Sequence, residues 1–204
     1  MPLRLAQLFI GLVLYGVGCG ITVQAGIGLD PWTVFAQGLA RQTSVGIGWM
    51  TNIIGFLVLL LWVPLRQRPG LGTIANIALV GTSMQATIAV FPHIPGFGWD
   101  LVVFMVGMVL VAVASGLYIG ADFGPGPRDG LMTGLHSRFG WPIWAARLGV
   151  EAGVLVAGWL LGGTVGLGTV IFAVGIGPLV HVALPRFDHR RRRAVRIASA
   201  AQTA

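Results

Sequence analysis

The chain has no lysine, only six acidic residues and a single cysteine, Cys19, among its 204 residues. Charged residues make up 9% of it and hydrophobic residues 55%, where a soluble domain carries about a quarter charged. So few charges cannot cover a water-soluble globule of this size, which excludes a soluble enzyme. A mean hydropathy of +0.85 excludes a disordered chain. One cysteine excludes a disulfide-stapled secreted domain. His93, His136, His181 and His189 lack metal-ligand spacing, so no metal or other cofactor is expected. No Ser-His-Asp grouping or phosphate-cradling loop occurs, and the chain is not expected to be an enzyme.

What is present is arginine. All thirteen basic residues are Arg, and five lie between Arg190 and Arg196. The pI near 11.5 would suit a nucleic-acid binder, but the other arginines stand mostly at the ends of apolar runs. Cytoplasmic flanks of membrane spans collect arginine in this way. Nucleic acid is therefore not an expected partner, whereas the lipid bilayer is.

A helix of about 20 apolar residues crosses the hydrocarbon core. Six stretches qualify, at about 5–24, 48–64, 72–91, 99–120, 142–161 and 168–184, which predicts an all-α polytopic membrane protein. The segments 31–41 and 127–138 are too short to cross, since eleven helical residues reach only ~16 Å. They are expected as half-helices that dip into the membrane or lie at its interface. The start, Met1-Pro2-Leu3-Arg4 and an apolar run ending Val23-Gln24-Ala25, has the outline of a secretory leader. The repeat described next pairs it with an internal span, so it reads as an uncleaved first helix. With the N-terminus inside, Arg66, Arg68, Arg128, Arg138 and the tail all fall inside. The expected protein sits in a bacterial inner (plasma) membrane with both termini cytoplasmic.

Shifting the chain by 96 positions superimposes it on itself. Gly28 meets Gly124 and Pro31 meets Pro127 (127 − 31 = 96), while Gly70-Leu71-Gly72-Thr73 meets Gly166-Leu167-Gly168-Thr169. Upstream, Gly11 meets Gly107 and Gly20 meets Gly116. Each half holds three spans and one half-helix, and an odd number of crossings inverts the second half relative to the first. The expected organisation is a first repeat over 1–96, a second, inverted repeat over 97–185 and a basic cytoplasmic tail over 186–204.

Two segments lead into the half-helices, Gly28-Leu29-Asp30-Pro31-Trp32-Thr33 and Gly124-Pro125-Gly126-Pro127-Arg128-Asp129. Proline is suited to the first helical position. The open N–H groups and the dipole of such a helix start favour an anionic or polar group. Asp30 is suited to N-capping, while Arg128 opposes the dipole unless an anion or Asp129 compensates. Arg147 and Glu151 share a helix face within the fifth span, spaced i,i+4, and intramembrane charges seek partners or do work. Asp30, Trp32, Thr33, Gln37, Arg128, Asp129, Arg147 and Glu151 are the candidate substrate-binding residues. Asn52, Asn76, Gln85 and His181 read rather as helix–helix hydrogen-bonding residues. The tail Arg190-Arg191-Arg192-Arg193 is expected to meet anionic lipid headgroups.

The blocks GLDPWTVFAQGLA (28–40), LRQRPGLGT (65–73), GPGPRDGLMTGL (124–135) and GWLLGGTVGLGT (158–169) resemble the YczE/YyaS/YitT-like integral membrane proteins in their actinobacterial form. The resemblance covers about residues 5–185. It implies a bacterial inner-membrane protein and brings no substrate with it. In such proteins the first motif often reads Pro-Trp-Asp. Here Thr33 takes the last place, and only the second motif keeps Arg128-Asp129. The functional expectation is a small permease or channel for a polar or anionic solute. Its rivals are a non-transporting membrane scaffold or regulator and a membrane substrate-binding subunit of a multi-subunit importer. Gly-rich helix faces are compatible with a homodimer.

Overall fold

The computed structural model describes residues 1–93 and 96–188. The arginines from Arg190 to Arg193, and with them the expected headgroup contact, lie outside the described residues. The described chain is all-helical: α1 Pro2–Ala25, α2 Pro31–Thr43, α3 Ile47–Leu61, α4 Leu71–Val90, α5 Phe97–Gly120, α6 Pro127–Phe139, α7 Ile143–Leu160 and α8 Leu167–Phe187. Five of these (α1, α4, α5, α7 and α8) are long and apolar enough to cross a membrane. The pair α2 and α3, bent by 112° at its break, supplies up to one more.

The stretch 48–64 does not continue as a helix to its end. It stops at Leu61 and residues 62–66 form a turn. Pro64 explains this, because it has no N–H to donate and pushes Val63 away from helical geometry. Both short helices have thirteen residues, about 20 Å of length, and each begins with the proline expected at its first position.

Helix starts recur at the constant spacing: 127 − 31, 143 − 47 and 167 − 71 are all 96. The tertiary contacts recur with it. The Gly168 N–H donates to the Ile27 carbonyl at 2.8 Å, and 96 positions away the Gly72 N–H donates to the Phe123 carbonyl at 2.9 Å. The Leu29 N–H donates to Thr169 Oγ1 at 3.2 Å. At the matching place Pro125 has no N–H, so the polarity reverses and Thr73 Oγ1 donates to the Pro125 carbonyl at 2.8 Å. The segment leading into each short helix is thus pinned to the first turn of a long helix from the other half. Gly28 (φ 121°) and Gly124 (φ 112°) sit at these crossings, with backbone angles that side chains other than glycine rarely adopt. A Cβ on Gly28 would approach Gly166 N at 2.7 Å.

Size is exchanged at a second matched contact. Trp62, 2% exposed, fills the notch left by Gly130 of α6. In the other half Gly158 is the small partner, set against the backbone of Val34 and Phe35 of α2. α1 runs through the middle of the bundle, with Gly11 and Gly18 facing α5 and Gly16 and Gly20 facing α4. Small residues let helix backbones approach closely in lipid, where packing rather than the hydrophobic effect holds helices together. Large apolar side chains line the outside, among them Phe56, Leu60, Ile74, Trp144, Trp159 and Val174, as expected of a surface solvated by lipid.

Candidate functional site

The starts of α2 and α6 come together. Asp30 caps α2, its Oδ1 accepting from the Thr33 N–H at 3.3 Å, and the same oxygen lies 3.6 Å from Arg128 Nη1 of α6. The Arg128 guanidinium also sits 5.0 Å from the Trp32 ring centroid, within cation–π range. A cation at a helix start opposes the dipole. Asp30, reaching over from the other half, offsets that opposition. α6 is held in place by Trp62, whose Nε1–H donates to the Pro127 carbonyl at 3.0 Å.

These starts open on a cavity of about 400 Å³, within the usual range for small-molecule sites. Asp30, Trp32, Arg128, Asp129, Arg147 and Glu151 all line it, joined by the polar Tyr15, Thr51, Asn52, Asn76, Ser115 and Tyr118. The Tyr118 hydroxyl donates to Asp129 Oδ2 at 3.1 Å, and the Tyr15 and Tyr118 rings meet edge to face at 5.9 Å. Arg147 Nε donates to Glu151 Oε1 at 3.1 Å, the i,i+4 pair anticipated on α7. The lining carries two arginines and three carboxylates (2 − 3 = −1), so both signs are present. Asp129 forms no ion pair among the described residues. Trp32 Nε1 is buried without a hydrogen-bond partner among the described residues. No cluster of three His, Cys, Asp or Glu fit to hold a metal occurs among the described residues.

Two candidate residues fall outside this cavity. Gln37 is occupied elsewhere, its Oε1 accepting from the Thr164 N–H at 2.6 Å and so fastening α2 to the α7–α8 connection. Thr33 is 1% exposed and packs at the first turn of α2. A helix rotates 100° per residue, so only part of a short helix can face one cavity. Four polar lining residues escaped the sequence reading: Tyr15, Thr51, Ser115 and Tyr118. A signal existed, since the chain has two tyrosines and both lie within apolar spans, where a hydroxyl needs a polar neighbour. Asn52 and Gln85 are helix–helix residues as anticipated: Asn52 Nδ2 donates to Thr82 Oγ1 at 3.0 Å and Gln85 Oε1 accepts from the Gly48 N–H at 3.0 Å.

The family model described as "Family of unknown function (DUF6198)" matches residues 2–185. An uncharacterised protein of Haemophilus influenzae is 40% identical over 177 residues, 87% of this chain and 81% of the relative. The "Uncharacterized membrane protein YczE" of Bacillus subtilis is 30% identical over 188 residues, 91% and 87% of the two chains. The "Uncharacterized protein YyaS" of the same organism is 24% identical over 180 residues, 86% and 90%. No solved structure matches. With a match over nearly its whole described length and five helices long and apolar enough to cross a membrane, the chain belongs to the YczE/YyaS-like family of membrane proteins.

Proposed function

We propose that this protein is a small permease for a polar solute, and that the cavity between the starts of α2 and α6 is its binding site. The observation that carries the reading is the meeting of two short-helix starts at Asp30 and Arg128 inside a polar-lined cavity. Transporter sites are typically built at the membrane midplane where broken helices of two repeats converge. Irregular backbone at that depth is tolerated where it lines a cavity. Arg128 and the open N–H groups of the helix starts would hold an anionic group of the solute. The Arg147–Glu151 pair would respond to its arrival by exchanging partners.

The same reading takes the halves as inverted repeats. The recurrent 96-residue spacing supports this, as does the contrast between Arg66-Gln67-Arg68 and its uncharged mate Gly162-Gly163-Thr164. Arginine placement supports an inner-membrane protein with both termini in the cytoplasm.

The test is single-cysteine accessibility in a Cys19→Ser background, with probes at Thr51, Asn76 and Met132 on the cavity wall. Small water-soluble thiol reagents should modify all three from one side, bulky reagents none. A polar solute found by thermal shift should slow that modification, and Arg128→Gln should remove the protection. If no hydrophilic reagent reaches these positions, the cavity is not a solute path and the permease reading fails.

A further inference from the structure

The long helices form a ring that is open at one place. α8 packs on α5, α5 on α1, α1 on α4 and α4 on α3. Beyond α3 the ring continues through α2 and α6 to α7, but α7 and α8 do not pack along one another. The cavity lies behind this break, with Arg147 and Glu151 of α7 on one side and Phe172, Ile176 and Val180 of α8 on the other. Gly177 of α8, on the cavity wall, faces open space, with nothing within 4 Å of an added Cβ. α8 carries Pro178 inside the helix at the same level, where proline removes a backbone hydrogen bond and bends the helix.

We propose that the cavity loads sideways through the gap between α7 and α8, from the bilayer, and that its ligand is a zwitterionic amphiphile. The proposal rests on the cavity being a substrate site, as argued above. A break between two spanning helices faces acyl chains rather than water. Polarity across it is graded from the apolar α8 wall to the α7 wall, which carries Arg147 and Glu151, and to the helix starts with Asp30, Arg128 and Asp129. That gradient suits a molecule with a polar head and an apolar tail. The volume of about 400 Å³ takes a compact head group, and the tail stays along α8 and in the surrounding lipid.

The head must carry both signs, because the lining does. Arg128 and the Trp32 Nε1–H, which has no partner among the described residues, are donors for an anionic group. Asp129, which lacks a counter-ion among the described residues, is the acceptor for an ammonium, with the Tyr15 and Tyr118 rings beside it able to face a cation.

Photolabelling tests this on the full chain in phosphatidylglycerol vesicles. One sample holds a trace of phosphatidylethanolamine with a diazirine high on its acyl chain, and a matched sample holds the phosphatidylglycerol analogue. The zwitterionic probe should label Phe172, Ile176 and Val180 about tenfold over the outward face of α8 and over the anionic probe, as expected for one added charge-assisted contact. Gly177→Leu, which projects into open space and leaves the packing intact, should cut that labelling to the outward-face level. Uniform labelling of all outer faces, equal labelling by the two probes, or protein–protein adducts through α8 marking a second copy in the gap would each overturn the proposal. Soluble glycerophosphoethanolamine separates this proposal from the permease reading through modification of Thr51→Cys in the Cys19→Ser background. Protection without gap labelling removes lateral loading and keeps a water-side permease. Neither effect removes both.

Discussion

α3 and α4 occupy the same places in the first half of the chain that α7 and α8 occupy in the second, yet one pair is zipped and the other stands open. Along α3–α4, Gly48 and Gly81 let the backbones touch, and Gln85 and Asn52 bond across the seam. The residues 96 positions on are Trp144 for Gly48, Leu148 for Asn52, Gly177 for Gly81 and His181 for Gln85. Trp144 is 71% and Leu148 63% exposed. Thr82, which accepts from Asn52, has Pro178 as its mate. Helices in lipid adhere through small residues and interhelical hydrogen bonds, because apolar side chains are as well solvated by acyl chains as by each other. Replacing small and polar residues with Trp, Leu and Pro therefore removes the adhesion without any charge repulsion. The gap is written in the seam residues of the second half.

The strongest way to break this comparison is to make the same substitution in both seams. Gly81→Leu would drive a side chain into Asn52 and the Gly48 carbonyl, and overpacking against backbone should destabilise by about 3 kcal/mol or more. Gly177→Leu meets nothing and should stay within about 0.5 kcal/mol of the parent. Thermal unfolding of the purified protein in detergent, followed by size-exclusion chromatography, reads both. Equal losses would show that α7 and α8 pack in the membrane after all.

Next in size is Gly28→Ala, which puts a Cβ at a positive φ and against Gly166. The expected loss is about 2 kcal/mol, read as a lower unfolding midpoint. Because this contact anchors the start of α8, hydrogen exchange should rise more in α8 than in α4.

A constructive version transplants the seam. Trp144→Gly, Leu148→Asn, Pro178→Thr and His181→Gln together recreate the α3–α4 contacts, at about 1 kcal/mol for each of the two interhelical hydrogen bonds. A raised unfolding midpoint, together with slower thiol modification at the cavity wall, is the expected outcome. An unchanged midpoint would mean that the gap is held open by something other than seam residues.

The smallest expected effect is that of Arg147→Gln. On the proposed reading the ion pair with Glu151 lines a water-filled cavity, with side chains 57% and 32% exposed, and pairs in contact with water contribute about 0.5 kcal/mol. A loss of several kcal/mol would place this pair in a closed, dry interface instead.

Much of the architecture was legible in the chain itself. Pro31 and Pro127 marked helix starts because proline suits a position whose N–H has no partner. The 96-residue period foretold the matched starts of α2, α3 and α4 with α6, α7 and α8. Helical spacing alone put Arg147 beside Glu151. The site was legible in part. Asp30, Trp32, Arg128 and Asp129 stood out because they flank the prolines, and the cavity does gather them. Gln37 looked equivalent to them, but which neighbour a helix face meets depends on rotation about its axis, and the α7–α8 connection claims that face. Tyr15, Ser115 and Tyr118 come from the ordinary spans α1 and α5, where nothing local distinguishes a polar residue facing a cavity from one bonded to a neighbouring helix.

Local physics, then, let the sequence determine the membrane class, the helix starts and the internal period. Apolar run length, missing N–H groups and glycine-permitted turns act within a few residues, and the period is a property of the chain alone. Only the tertiary structure decided that Asp30 answers Arg128 across the two halves, that Trp62 fills the notch at Gly130, and that the ring is open between α7 and α8. Those outcomes depend on which helices face each other. That choice is made by long-range packing among many nearly equivalent apolar surfaces, where a glycine or an asparagine at a seam outweighs the hydropathy of the whole helix.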